Sequence, residues 1–332
     1  MNQANFATVA DLLDAWRDDV LSGTPPILFP VGAGELARIE IGPGLVTLLG
    51  GAPGAGKTAF VMQLVIDALR LTPTLRVLVC NVEMTPGVLL DRQLARLSGV
   101  DLTTIRHRRF DGSHADRLDQ AIHTLEALGE RLAFVRPPYS LDNVAAAADA
   151  HDAGLIVLDY IQRIRPPGEH GDKRGSVNAT MDYLRQFADA GVAVVVLSAV
   201  GRTKDDKGRS SYAGSGMNLA SFRESSELEF GADDAFILHP EADNAEGDTM
   251  RMRHLKSRHG EARDMLLTFD RPRMLFTPLS ADEVAEHSSK PQKRRTRKAD
   301  SAKAGKLQSA LATLWSQTPA ADDDLDDGEG EP

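Results

Sequence analysis

The sequence predicts an α/β protein built on a mostly parallel, doubly wound sheet. Three observations carry this reading. From about residue 45, short apolar runs alternate with segments of helical periodicity. The runs are nearly continuous in apolar and β-branched residues, as strands buried on both faces require. The segments between them are long enough to cross over between parallel neighbours.

The elements follow in order. TVADLLDAWRDDVLS (8–22) sets Val9, Leu12, Leu13, Trp16 and Val20 at helical spacing, and the Pro25–Pro26 pair ends the pattern. Strands are expected at 45–50 (LVTLLG), 76–82, 132–136, 155–161 (LIVLDYI), 192–198 and 234–239. Helices are expected at 57–70, 86–98, 115–129, 141–150, 176–190 and 218–230. MRMRHLKSRHG (250–260) and RDMLLTF (263–269) read as two strands around a glycine-containing turn, an antiparallel hairpin at the sheet's edge. After about Pro278 the apolar periodicity fades. A basic cluster, a ten-residue helical hint (LQSALATLWS, 307–316) and an acidic terminus read as a largely disordered C-terminal tail. The expected divisions are an amphipathic helix over 1–24, one main domain over 25–280 and the tail over 281–332.

With 332 residues, 42% hydrophobic and 26% charged, the chain falls in the range of soluble globular proteins. Collagen-like, wholly disordered and disulfide-scaffold classes are excluded. No apolar run approaches the ~18 residues of a membrane span, and no secretory signal is legible at the N-terminus. Cys80 is the only cysteine, so a reducing cytoplasm is the expected setting. The net charge of −10 first speaks against a phosphate-bearing partner. It is, however, unevenly spread. Residues 290–306 hold eight basic side chains against Asp300 alone, and 321–332 hold seven acids and no base. These two segments cancel and 307–320 are uncharged, so residues 1–289 carry the whole excess.

GAPGAGKT (51–58) fits the phosphate-binding pattern G-x-x-x-x-G-K-S/T, with a strand before it and an amphipathic helix after it. Gly51, Ala52, Pro53, Gly54, Ala55, Gly56, Lys57 and Thr58, with Ala59, form the expected cradle. Its backbone N–H groups and the helix dipole favour an anion. Lys57 is expected on the β- and γ-phosphates of ATP and Thr58 on Mg²⁺. Asp159, ending the apolar run LIVLD, is the expected magnesium carboxylate. Glu83, emerging after RVLVCNV where ligands gather at the carboxyl ends of parallel strands, is the expected base for water. In a strand Lys256 and Arg258 face one side, so the pair can present two cations to one triphosphate. Neither His254 nor His259 has the spacing of a zinc site.

Together these pieces resemble the RecA-like P-loop motor domain of DnaB-type replicative DNA helicases over roughly residues 8–278. VLVCNVEMTPGVLLDRQLARLSGVD (77–101) resembles the family's segment bearing the catalytic glutamate, and LIVLDYIQRI (155–164) its second phosphate-site strand. VVVLSAVGR (194–202) resembles its sensor strand, LASFRESSELEFGADDAFIL (219–238) its Arg-Glu-Ser stretch, and LKSRHG (255–260) its Lys-x-Arg hairpin. The resemblance implies catalysis by Glu83 and nucleotide contact by Arg92. It implies that Lys256 and Arg258 reach the next subunit's ATP site in a homo-hexameric ring. It further implies single-stranded DNA along the channel, met by Arg223 and Glu224 and by Arg202, Lys204, Lys207 and Arg209 of the 201–216 loop. The 162–175 loop is a second candidate for DNA contact.

Cytoplasmic replication partners and no membrane are implied as well. The helix at 8–22 takes the place of the family's linker helix, and the resemblance does not reach the family's helical N-terminal domain. Two departures stand out: Ala199 follows Ser198 where the family reads Ser-Gln, and Ser226 replaces a glycine. The expected function is thus an ATP-dependent DNA helicase stimulated by single-stranded DNA. A RecA- or KaiC-like switch ATPase without unwinding, and a DNA-tethering or helicase-recruiting adaptor, remain as alternatives.

Overall fold

A computed structural model describes residues 6–168, 172–201, 203–204, 210–211, 218–222, 230–241 and 248–289. The chain divides into two units, Met1–Ala285 and Glu286–Pro332. Of the second, only the last four residues of a helix are described.

The first unit is organised by a nine-stranded sheet. Its strands are β1 (Val46–Gly51), β2 (Val77–Asn81), β3 (Leu132–Phe134), β4 (Leu155–Asp159), β5 (Ala193–Ala199), β8 (Asp234–Pro240), β9 (Thr249–Ser257), β10 (Met265–Asp270) and β11 (Leu275–Pro278). Short strands β6 (Thr203–Lys204) and β7 (Ser210–Ser211) form a separate antiparallel ribbon. The sheet order is β11-β10-β9-β8-β1-β5-β4-β2-β3. Strands β8 to β3 in that order are parallel to their neighbours, while β8–β9, β9–β10 and β10–β11 pair antiparallel. The predicted hairpin is present, but β11 carries the sheet one strand beyond it.

The helices are α1 (Val9–Ser22), α2 (Lys57–Leu71), α3 (Pro86–Ser98), α4 (Leu102–Arg106), α5 (Ala115–Glu126), α6 (Leu141–His151), α7 (Lys173–Asp189) and α8 (Ala281–Ser289). Alternate strand residues feed two cores, as the period of a pleated strand demands. Leu49, Val79, Val157 and Leu197 pack with Phe60, Leu64 and Ile66 of α2 on one face. Leu48, Leu78, Ile156, Leu158 and Val196 pack with Val144 of α6 and Leu184 of α7 on the other. The sheet is therefore doubly wound.

Strand β11 escapes sequence reading because it is short, but side chains anchor it. Buried Gln63 of α2 donates from Nε2 to the Phe276 carbonyl (2.8 Å) and accepts from the Phe276 N–H (2.9 Å). Phe276 stacks on Phe269 (ring centroids 4.0 Å) and meets Phe60 edge-on (5.2 Å), contacts worth ~0.5–1.5 kcal/mol each beyond their burial. Helix α7 starts three residues earlier than expected, because Asp172 caps it by accepting from the Gly175 N–H (2.7 Å).

The segment from 281, expected as disordered tail, opens as helix α8. Ser280 and Glu283 close a capping box: Glu283 Oε2 accepts from the Ser280 N–H (2.7 Å), and Ser280 Oγ accepts from the Glu283 N–H (3.3 Å). Of the helix expected at 218–230, Leu219–Ser221 form a 3-10 turn and Phe230 is helical; residues 223–229 lie outside the described residues. So do the helical hint at 307–316, the basic cluster at 290–306 and the acidic terminus. Helix α1 is capped by Thr8 and Asp11, and none of its residues is buried in its own chain. No helix among the described residues is long and apolar enough to cross a membrane.

Candidate nucleotide site

The carboxyl ends of β1, β2, β4 and β5 converge on a cavity of about 590 Å³. Its floor is the turn between β1 and α2. Gly56 ends that turn with φ +90°, and a Cβ there would come within 2.8 Å of the Phe269 and Phe276 rings. Glycine is therefore required twice, by backbone conformation and by space. At Gly51 a Cβ would meet the Leu238 carbonyl oxygen at 2.7 Å, since β8 runs beside β1. Pro53, Gly54, Gly56, Lys57, Thr58 and Ala59 line the cavity. Ala52 and Ala55 are buried, and the Gly51 and Ala52 carbonyls accept from Lys57 Nζ (2.8 and 3.2 Å). The start of α2 contributes the N–H groups that have no partner inside a helix.

Above this floor the side chains form one hydrogen-bonded set. Thr58 Oγ1 donates to Asp159 Oδ2 (2.6 Å) across the join between α2 and β4. Asn81 Nδ2 donates to the same oxygen (2.7 Å), and Asn81 Oδ1 accepts from the backbone N–H groups of Glu83 (3.0 Å) and Met84 (2.7 Å). Asn81 thus fixes both the Asp159 carboxylate and the turn that sends Glu83 into the cavity. Sequence reading missed it. The available signal was a polar residue closing an apolar strand two positions before Glu83.

The electrostatics describe a site short of an anion. Burial is the main reason the Asp159 carboxyl is pushed above its ordinary range; the Glu83 charge adds to this, while the Thr58 hydroxyl, Lys57 and Arg92 oppose it. Burial likewise pulls Lys57 and Arg92 down, against the attraction of Asp159 and, for Lys57, of Glu83. Arg92 lines the cavity, and its Nε is buried without a hydrogen-bond partner among the described residues. An orphaned buried donor is costly, and an anionic oxygen is the kind of acceptor that satisfies one. Thr58 and Asp159 offer the adjacent hydroxyl and carboxylate oxygens that suit a hard divalent cation.

The outer wall comes from an unexpected place, the turn between β10 and β11. Phe269, Arg271 and Met274 line the cavity. The Arg271 guanidinium lies 4.8 Å from the Phe269 ring centroid and donates to the Gly54 carbonyl (3.3 Å). On the opposite side Ala199 ends β5 at the cavity. Behind it, Gln162 Nε2 donates to Ser198 Oγ (2.8 Å) and Gln162 Oε1 accepts from the Ala199 N–H (3.4 Å).

Lys256 and Arg258 are not in this cavity. Register places them at the other end of the sheet: Lys256 pairs with Ala235, and Asp234 sits beside Thr47 near the start of β1, whereas Leu238 sits beside Gly51 at its end. The two cations share one side, as expected, since both donate toward the Phe230 carbonyl (3.2 and 3.4 Å). Lys256 also donates to the Ala232 carbonyl (2.6 Å), and Arg258 to Asp233 Oδ1 (2.6 Å). Arg202, Lys207, Arg209, Arg223 and Glu224 lie outside the described residues. Of Lys204 only the backbone is described, paired with Ser210.

Comparison with known proteins agrees with this geometry. The family of DnaB-like helicase C-terminal domains matches residues 40–278. A replicative DNA helicase DnaB of Rickettsia bellii is 26% identical over 216 residues, 59% of this chain and 41% of that protein. The gene 65 protein of Mycobacterium phage L5 is 30% identical over 169 residues, 47% of this chain and 58% of that protein. Among solved structures, a DnaB-like replicative helicase, described with its interactions with primase, superposes with a TM-score of 0.70 at 18% identity, covering 84% of this chain and 68% of that one. The chain thus spans less than half the length of the Rickettsia helicase. The domain is therefore one that binds nucleotide, and the chain belongs to the family of DnaB-like helicase C-terminal domains.

Proposed function

We propose that the protein is an ATP-hydrolysing DNA helicase motor that works as a ring, each ATP site lying between two subunits. One observation carries the reading: the two halves of a phosphoryl-transfer site lie at opposite ends of one sheet. Five intervals along β1 at ~3.3 Å each separate them by roughly 17 Å, beyond the reach of an arginine side chain whose root is fixed. Lys256 and Arg258 therefore serve a neighbour's phosphates. The name of the Rickettsia relative, a replicative DNA helicase, supports single-stranded DNA as the track.

In this reading the α2 N-terminus and Lys57 hold the β- and γ-phosphates, and Arg92 gives its orphaned Nε to a phosphate oxygen. Thr58 and Asp159 would hold Mg²⁺, which when bound neutralises charge on the β- and γ-phosphate oxygens. Glu83 takes the proton of a water whose oxygen attacks the γ-phosphorus, while the bond to the β-phosphate oxygen breaks and ADP leaves. The neighbour's Arg258 stabilises the charge that develops. Such an arginine in trans is worth ~10³–10⁵ in rate. Phe269, Arg271 and Met274 form the wall on which the base side of the nucleotide rests. Helix α1, with Val9, Leu12, Leu13, Trp16 and Val20 all exposed in its own chain, docks on the adjacent subunit. DNA is gripped by the 162–175 and 201–216 loops and by Arg223 and Glu224.

The test is ATP turnover with and without single-stranded DNA, for the wild type and Glu83→Gln, paired with strand displacement on forks tailed at either end. Stimulated turnover, its loss in the variant, and displacement on one fork polarity are expected. DNA-independent turnover, or full activity in Glu83→Gln, would overturn the reading. Ala199 supports a second reading, a switch ATPase: a methyl group at the end of β5 has no donor with which to report the γ-phosphate. That reading gives turnover without displacement.

A further inference from the structure

The cationic end of the sheet is organised around a residue that the phosphate site does not use. Asp233 lies just before β8, and its side chain is only 3% exposed. Buried carboxylates require partners, and this one has three. Its Oδ2 accepts from Arg185 Nη1 (2.6 Å) and from the Val46 N–H (2.8 Å), and its Oδ1 accepts from Arg258 Nη1 (2.6 Å). The backbone repeats the connection. The Asp233 N–H donates to the Val46 carbonyl (2.8 Å), and the Asp233 carbonyl accepts from the Arg258 N–H (3.0 Å). Arg185 is fastened in turn, through Nη2, to the Gly44 carbonyl (2.9 Å).

Two guanidiniums share Asp233, and His259 Nε2 stands 4.0 Å from its Oδ1. Arg185 is the more buried of the two arginines, at 30% exposure against 43% for Arg258, and is itself shared, donating from Nε to Asp189 Oδ1 (3.3 Å). Arg185 is therefore the inner, structural partner of Asp233, and Arg258 the outer one that stands at the surface. Of the five N–H donors of that guanidinium, one meets Asp233 and one the Phe230 carbonyl among the described residues. Free arginine side chains lose rotamer freedom when held in one geometry. Here a buried carboxylate has already fixed that geometry, which is how an active-site cation is made ready before its substrate arrives.

We propose that Asp233 is the positioning residue for Arg258, holding its guanidinium in the orientation delivered to the neighbouring subunit's phosphates. This rests on the reading of Arg258 as a cation supplied in trans. Arg185 belongs to α7, which begins at Lys173 within the 162–175 segment, so the anchor of Arg258 is shared with that helix.

The test measures kcat and KM for ATP in the full chain as wild type, Asp233→Asn, Arg258→Ala and the double variant, with the mass of the ATP-bound assembly. The single amide oxygen of asparagine can still accept from the Val46 N–H and Arg185, while its NH₂ group replaces the oxygen that accepts from Arg258 and the charge is removed. Asp233→Asn is expected to lower kcat about tenfold or more, a loss within the range for supporting residues. KM stays within about twofold and the assembly mass is unchanged. In the Arg258→Ala background the same change has no further effect.

Wild-type or faster turnover in Asp233→Asn would overturn the proposal, the faster case marking Asp233 as a latch that withholds Arg258. An equal loss repeated in the Arg258→Ala background would overturn it too, because that reports general damage. Full turnover in Arg258→Ala would instead remove the trans reading itself. Should Asp233→Asn not fold, Arg185→Gln takes its place: a kcat loss that vanishes in the Arg258→Ala background supports the proposal, and no loss overturns it.

Discussion

The two ends of the central sheet carry opposite kinds of polar cluster. At the carboxyl end of the parallel strands, Lys57, Arg92, Glu83 and Asp159 surround a cavity in which burial works against Lys57, Arg92 and the Asp159 carboxylate carrying charge. That end is built for a charged ligand and is electrostatically uncomfortable without one. At the other end, Arg185 and Arg258 close on Asp233 in short, satisfied hydrogen bonds. That end is satisfied within the chain and holds Arg258 fixed at the surface. In the proposed reading, chemistry and coupling divide along this difference: one end binds and reacts, and the other presents a preassembled cation to a neighbour.

The largest effect expected from this division is at Arg258. Arg258→Ala lowers kcat by about 10³-fold or more in the assembled ring without loss of ATP binding, measured by turnover beside nucleotide titration. A variant that loses binding in proportion would place the arginine in the ground-state site. Asn81→Ala comes next. It frees the Glu83 turn and one bond to Asp159, so kcat falls by about 10- to 100-fold while the fold persists. A change confined to KM would contradict the role given to Asn81.

Gly56→Ala strikes the floor of the cavity. The left-handed backbone and the 2.8 Å approach to two phenyl rings together cost about 2–4 kcal/mol, a Tm lower by about 5–15 °C in thermal unfolding. An unchanged Tm would show that the aromatic cluster can yield.

Asp159→Asn is smaller and of opposite sign. The folded carboxyl titrates above its unfolded value, so its ionised form costs stability, a cost absent below the unfolded value and fully present above the folded one. At neutral pH the variant therefore unfolds at a higher temperature without nucleotide. A lower Tm would contradict the burial argument. Last, Cys80, buried on β2 beside Asn81, has its thiol pushed up to about 12 by burial and by Asp159. Iodoacetamide labelling is expected only on unfolding, and rapid native labelling would reveal opening of the sheet beside the site.

Much of the reaction end was legible in the sequence, because each of its parts is local. GAPGAGKT, LIVLD and NVEM each pair an apolar strand with a polar residue where the strand stops, and that pattern predicts where ligands collect. What escaped reading was either short or non-local. Strand β11 has four residues and owes its place to Gln63, 213 positions away. The cavity wall from Phe269 to Met274 follows from that docking. Asp233 meets Val46 across 187 positions, a contact that exists only once β8 has taken its place beside β1. Helix α8 is the instructive exception: the capping signal Ser280-x-x-Glu283 was present, but fading apolar periodicity outweighed it.

The most direct measurement of the central claim, that each ATP site is shared by two subunits, mixes two inactive chains. Glu83→Gln subunits keep Arg258, and Arg258→Ala subunits keep Glu83. Co-assembled rings contain junctions that join an intact Glu83 to an intact Arg258. Turnover is expected to reappear on mixing, rising to a maximum near equal proportions. Mixed assemblies as inactive as either parent would place both residues in one chain's own site and contradict the account.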